Sequence, residues 1–288
     1  MNSILIVDKP ADWTSHDVIA KLRGALRIKR IGHGGTLDPM ATGVLPVFIG
    51  RATRAAEFCE NAEKEYIAGL KLGVVTDTQD ITGRTLSERT ASVAAEDLHS
   101  VLNGLLGAQK QIPPMYSAIK QGGKKLYELA RKGIDVPRPA RDIFISAIDL
   151  LGGSGSEFTL RIVCSKGTYI RTLCHDIGAA LGCGGAMSSL RRTRAGAFKI
   201  ENAHTLDAIL AAVPNGTVGD LTVTVDSLFM EYPAITLDAR DTSKCKNGAR
   251  FQVESTPVGR YRLYGPDNEF LALCDIAGRE TRVIKGFY

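Results

Sequence analysis

The stretch GHGGTLDPMATGVLPVFIG, residues 32–50, sets one carboxylate, Asp38, between a glycine-rich loop carrying His33 and an almost uncharged run. Glycines at 32, 34, 35 and 43 let a ligand approach the backbone closely, and Pro39 biases Asp38 toward extended conformation. A carboxylate held there can act as nucleophile, base or electrostatic stabiliser; the plain alternative is an Asp-Pro turn. His33 has the same double reading, as a ligand-holding side chain or a loop histidine bonded to backbone. A triphosphate cradle is disfavoured, because neither the Walker lysine nor a G-x-G-x-x-G run is present. A buried aspartate needs a cation to stay ionised, and Arg171 in CSKGTYIRTL suits a forked pair. Tyr66 and Tyr169 offer faces on which a planar base can stack, or serve as core or rim residues. Cys174 and His175 are adjacent, but helix neighbours point about 100° apart and no second ligand pair follows; a structural role is expected, and no metal.

The chain that must position these groups has 288 residues, enough for two unequal domains, and 44% hydrophobic against 23% charged residues fits a folded globular protein. The opening MNSILIVDKP has too short an apolar run for a secretory signal and nothing later reaches membrane-spanning length, so a cytoplasmic protein is expected. Six cysteines without a C-x-x-C pair read as reduced thiols. A formal charge of +5 is modest for a nucleic-acid binder, but its distribution says more. Basic residues gather at 21–30, at Lys120, Lys124, Lys125, Arg131, Lys132, Arg138 and Arg141, and at Arg191, Arg192 and Arg194. Converging in space they would track phosphates; taken singly, each is an ordinary solvated face.

ILIVDKP reads as a buried strand ended by Pro10, and TSHDVIAKLRGAL as a helix with Thr14 as N-cap and Asp17 completing a capping box. EYIAGLKLG alternates as a strand, AAEDLHSVLNGLLG is a helix expected to end at Gly107, and EFTLRIVC turns at 165–167 into an amphipathic helix. Between them QIPPMYSAIKQGGKKLYELARKG combines prolines, glycines and a short basic helix, a mobile, positively charged insertion. After a helix at TLDAILAAV, the tail changes to short strands, including AITL, ARFQV, YRLYG, FLALCDI and TRVIKGF.

Four of these segments, GHGGTLDPMATGVLPVFIGRATR, KEYIAGLKLGVVTDTQDITG, QIPPMYSAIKQGGKKLYELARKG and VCSKGTYIRTLCHDIG, occur in the order and near the spacing of one family. From DKPADWTS through LRRTRAGAF the chain resembles the TruB family of tRNA pseudouridine synthases, and its C-terminal part looks like that family's PUA-type RNA-binding module.

The resemblance implies an α/β (α+β) fold with a mixed, mainly antiparallel sheet over residues 1–230, including the insertion at about 108–142, and a PUA-like β module over 231–288. It implies isomerisation of the T-loop uridine at tRNA position 55, without cofactor or metal, by a single chain acting as a monomer with no obligate protein partner and no membrane. Asp38 matches the nucleophile, Tyr66 the tyrosine packed against the base, and Arg171 the arginine paired with the aspartate. His33 matches the histidine holding the flipped-out loop, Tyr169 and Leu190 line the base pocket, and Lys9 of DKP supports the site. The uncharged run after Asp38, with Leu190, is expected to wall the pocket. Lys120, Lys124, Lys125, Lys132, Arg141, Arg191 and Arg192 are expected on RNA phosphates. Gly34 replaces a usual threonine, which would loosen the His33 loop, and Asp12 replaces a usual glycine. The rivals are a non-catalytic tRNA-folding chaperone and a guide-dependent synthase acting on ribosomal RNA.

Overall fold

The structure is a computed structural model describing residues 1–254 and 256–288. β1 (Ile4–Lys9) is a buried strand that stops at Pro10, which has no N–H to continue a ladder. α1 (Ser15–Leu26) starts with the expected capping box: Thr14 Oγ1 accepts from the Asp17 amide, and the Asp17 carboxylate accepts from the Thr14 amide. Its buried stripe is Val18, Ile19 and Leu22. β2 (Ile31–His33) and β3 (Thr42–Ile49) bracket the loop that holds Asp38. α2 (Ala56–Asn61) leads into β4 (Lys64–Leu72), followed by a small hairpin of β5 (Val74–Thr76) and β6 (Thr85–Glu88). α3 (Ala95–Gly104) ends before Gly107, where the sequence pattern carried it, because Gly107 at φ 85° opens the edge strand β7 (Gly107–Gln111).

The insertion carries β8 (Lys120–Gln121), β9 (Lys124–Lys125) and α4 (Leu126–Ala130), and returns through the long strand β10 (Arg141–Ser154), whose start pairs with β7 and closes the insertion's stem. β11 (Glu157–Cys164) runs into α5 (Ile170–Ala180), and β12 (Gly185–Ala195) comes back through the middle of the sheet. The short strands β13 (Phe198–Lys199) and β14 (His204–Thr205), α6 (Leu206–Ala212) and β15 (Thr222–Val223) complete this part.

One eleven-stranded sheet results, in the order β14-β1-β3-β12-β4-β11-β10-β7 with β2, β13 and β15 at its sides. It is mainly antiparallel, with parallel joins at β1/β14 and β3/β12. β3 lies between β1 and β12 and is buried on both faces. Leu45, Val47 and Ile49 face a core shared with α1 and α5, while Val44 and Phe48 face a second core with Ile4, Phe229, Leu273 and Phe287. The uncharged run is therefore a central strand serving two cores, one of which also holds Tyr66 and Leu190.

The tail forms a separate four-stranded sheet of β16 (Ala234–Thr236), β17 (Gly259–Tyr264), β18 (Phe270–Ala277) and β19 (Glu280–Gly286), with α7 (Ala239–Lys246) inserted after β16. The expected strand at ARFQV is only an isolated bridge at Gln252, and α7 was not anticipated. Aromatic packing through Phe229 fastens this sheet to the preceding part: Phe229 meets Phe58 of α2 edge-on at 5.0 Å and packs against Phe270 at 6.0 Å and Phe287 at 5.9 Å. All six cysteines are free, and among the described residues no helix is long and apolar enough to cross a membrane.

Candidate active site

The backbone around Asp38 is pinned from below. Lys9, 0% exposed, donates its ammonium hydrogens to the carbonyls of Pro10 at 2.8 Å, Trp13, and Pro39 at 3.1 Å. Burial pushes its pKa down to about 8, with the charges of Asp12 and Asp38 pulling the other way. The Pro39 carbonyl also accepts from the Asp12 amide at 2.9 Å. Asp12 stands at φ 64°, the left-handed region that explains a glycine preference there and that aspartate tolerates. On the other side of the loop, Ser15 Oγ accepts from the Leu37 amide at 2.9 Å, and the Asp38 carbonyl accepts from the Ala41 amide.

Arg171, in the first turn of α5, reaches across to this loop. A single nitrogen, Nη2, lies 3.3 Å from both Asp38 carboxylate oxygens, so the pair is a one-nitrogen bridge and not the fork expected. The same Nη2 donates to the Tyr116 carbonyl at 2.8 Å, which ties the root of the insertion to the site. Nη1 points the other way, 3.8 Å from Asp80 Oδ2. Asp80 is 3% exposed, and its Oδ1 accepts from Thr78 Oγ1, the Thr82 amide and Thr82 Oγ1. The carboxylate read as solitary thus has a second acid behind its arginine. Packing pushes the Asp38 carboxyl above its ordinary pKa, Arg171 pulls it down and Asp80 pushes it up again. Its side chain keeps 32% exposure, a carboxylate enclosed on most sides and open at the mouth of the site.

The walls come from neighbouring strands. β12 pairs with β4 so that Leu190 lies opposite Ala68 and Arg192 opposite Tyr66, which puts Tyr66 and Leu190, both nearly buried, on one sheet face. Tyr169 is the residue before α5 and its ring faces the Arg171 guanidinium at 5.7 Å. Its backbone is clamped by Gln111, which accepts from the Tyr169 amide at 2.8 Å and donates to its carbonyl at 3.1 Å. His33 ends β2 with a buried Nδ1 that has no partner, and burial together with Arg192 lowers its pKa. Gly34 does not loosen this loop. A Cβ there would lie 2.8 Å from Phe48 and 3.0 Å from Cys59, whose side chains fill the space a threonine would take.

Two family descriptions match consecutive parts of the chain: the TruB family pseudouridylate synthase N-terminal domain over residues 23–170, and the tRNA pseudouridylate synthase B C-terminal domain over 171–224. The tRNA pseudouridine synthase B of Aromatoleum aromaticum is 41% identical over 281 residues, covering 98% of this chain and 91% of its own. The chain belongs to the TruB family of pseudouridylate synthases. The relative from Syntrophomonas wolfei is 43% identical, covering 96% of this chain and 93% of its own. Among solved structures, the fold superposes on a chain of a Cbf5-Nop10-Gar1 complex with a TM-score of 0.75 at 27% identity, covering 99% of this chain and 85% of that one.

Within this TruB-family chain the motif residues Lys9, His33, Asp38, Tyr66, Tyr169, Arg171 and Leu190 gather around the β2–β3 loop, β4, β12 and the start of α5. The basic residues divide. Lys120, Lys124, Lys132 and Arg141 stand exposed on the insertion, and Lys125 is half-buried beside the Tyr127 ring. Arg191 is held by Asp8 through two bonds, at 2.8 and 3.2 Å. Arg192 is 1% exposed and cannot reach an RNA phosphate; that assignment is corrected by alternation along β12, which turns one arginine out and its neighbour in. Asp80 and Gln111 were missed. The threonines flanking Asp80 mark a turn, but nothing local says that its carboxylate is buried against Arg171.

Proposed function

We propose that this chain isomerises the T-loop uridine of tRNA, position 55, to pseudouridine, with Asp38 as nucleophile. The family and the activity of its curated relatives carry the reaction class, and the Asp38–Arg171–Asp80 arrangement carries the assignment of the nucleophile. Uridine and pseudouridine have the same composition and oxidation state. The N1–C1′ bond breaks, C5 bonds to C1′, the C5 proton leaves and N1 gains one, so the reaction balances without a cofactor. The base must leave its stack to reach the carboxylate, and Tyr66, Tyr169 and Leu190 supply the apolar faces to receive it. Arg171 keeps Asp38 ionised and aimed, and Asp80 keeps Arg171 in place. The unpartnered Nδ1 of His33 is suited to a polar group of the displaced loop. Lys120, Lys124, Lys125, Lys132 and Arg141 would grip phosphates from the insertion, with Arg191 beside them once released from Asp8. We assign residues 1–230 to catalysis and 231–288 to a PUA-like RNA-binding module, in a chain acting alone as a cytoplasmic monomer.

The test uses tRNA transcripts labelled with tritium at uridine C5. Release of one tritium per transcript is expected, and none from a transcript with cytidine at position 55. No release, or undiminished release from the cytidine transcript, would overturn the assignment.

A further inference from the structure

Arg192 is the largest of the fully enclosed side chains, and among the described residues no acidic side chain forms an ion pair with it. A guanidinium without a counter-ion is tolerated inside a protein only if its N–H groups are used. Nε donates to the Val44 carbonyl of β3 at 2.7 Å, Nη2 to Gly35 at 3.1 Å and Nη1 to Thr36 at 3.5 Å. The side chain can enter because β3 and β12 touch at Gly43, where a Cβ would lie 2.2 Å from the Arg192 carbonyl oxygen. Across the sheet Arg192 is the register partner of Tyr66, and each terminal nitrogen retains one further N–H beyond its loop bond.

We propose that Arg192 is a positioning residue of the active site, locking the backbone just before Asp38 onto β3 and presenting its charge to the Tyr66 hydroxyl, a role that rests on the uridine isomerisation proposed above. The groups acting on that hydroxyl come from three elements. Burial raises its pKa, as do Cys164 of β11 and Asp38 of the loop, while Arg192 of β12 draws it back. A cation beside a buried phenol favours the state in which its oxygen accepts a proton. The same guanidinium, by holding the Gly35 and Thr36 carbonyls, fixes where the Asp38 carboxylate stands relative to that oxygen.

The experiment compares wild type, Arg192→Met, Arg192→Lys, Tyr66→Phe and the Tyr66→Phe double variants in steady-state pseudouridine formation, with tRNA affinity and melting temperature measured on each. Expected is a fall in kcat of about 100-fold for Arg192→Met with KM and tRNA affinity within about twofold. In the Tyr66→Phe background the same change should lose most of its effect, because the two residues act as a unit. If Arg192→Met does not fold, Arg192→Lys, which keeps the charge but not the fork, carries the comparison and should lose at least about tenfold in kcat. A wild-type kcat in Arg192→Lys, additive effects with Tyr66→Phe, or a raised KM with a flatter salt dependence would overturn the role; the last would make Arg192 a phosphate contact. Absence of pseudouridine with the wild type would instead overturn the function itself, and this role with it.

Discussion

Lys9, Arg171 and Arg192 at the floor of the pocket are 0%, 6% and 1% exposed, whereas Lys120, Lys124, Lys132 and Arg141 on the insertion stand in solvent. Both regions are cationic, and their partners differ. The floor cations donate to backbone carbonyls, and Arg171 also forms ion pairs with two carboxylates. The effective penalty for desolvating such an ion is several kcal/mol, offset only by bonds of good geometry. Few alternatives remain open to these side chains, so they hold the loop carrying Asp38 in one place. The insertion's cations have lost little hydration and can exchange water for phosphate. The insertion is tied to the site by the Tyr116 carbonyl on Arg171 and by Gln111 on the Tyr169 backbone. A groove of about 630 Å³ opens between residues 112–116 and 130–138 of the insertion, the β5–β6 hairpin and α5. On the function proposed above, the contrast separates the fixed geometry of chemistry from the adjustable geometry of grip.

The largest effect should come from the floor. Asp38→Asn keeps the shape and removes the charge, and turnover should fall on the order of 10⁴-fold or more, with tRNA affinity within about threefold. Single-turnover assays beside filter binding check both halves. A variant that loses affinity in step with turnover would erase the distinction between floor and grip.

Asp80→Asn comes next. The amide oxygen can still accept from Thr78 and Thr82, so the turn survives, but Arg171 loses its second anchor. Turnover should fall about 10- to 100-fold. The acid limb should move as well, and its sign is fixed. The Asp38 carboxyl is held above its ordinary pKa by burial, and Asp80 adds to that, so removing the Asp80 charge moves the limb to lower pH. A limb that stays in place would mean that Asp80 does not act on Asp38.

For the insertion, replacing Lys124, Lys125 and Lys132 together by alanine should weaken tRNA binding about tenfold and reduce the slope of log affinity against log salt by roughly 2. At saturating tRNA the rate of the chemical step should not change. A slowed chemical step would show that the insertion does more than grip.

The same two regions differ in how far they could be read from sequence. The capping box at Thr14 and the exposed lysines at 120–132 are local patterns, carried by spacing alone. The meeting of Asp38 with Arg171 was readable because long motifs hold both. Asp80 and Arg192 were not, since their meaning lies in which strand or turn covers them. Arg191 and Arg192 look alike in LRRTR, and a strand's period of two says that they differ without saying which is buried. α7 was missed because its polar sequence buries a single cysteine, Cys245, though Asp238 capping the Asp241 amide was a signal within reach.

Lys9 gives the smallest effect and separates local loosening from unfolding. With its pKa lowered to about 8, it loses a proton in a range where exposed lysines stay charged. An ammonium has three N–H groups for the carbonyls of Pro10, Trp13 and Pro39; the neutral amine has two, so one carbonyl loses its donor. Pro39 follows Asp38 directly, and turnover should fall about two- to fivefold as pH rises through 8. Stability should move the opposite way. Between the folded value near 8 and the ordinary lysine value of 10.5, the unfolded chain binds more protons than the folded one, so the Lys9 contribution to stability rises with pH across that window. Activity declining while melting temperature holds or rises is therefore the signature of a loosened floor. Lys9→Met should remove the alkaline limb; a limb that persists in that variant would assign it to another group.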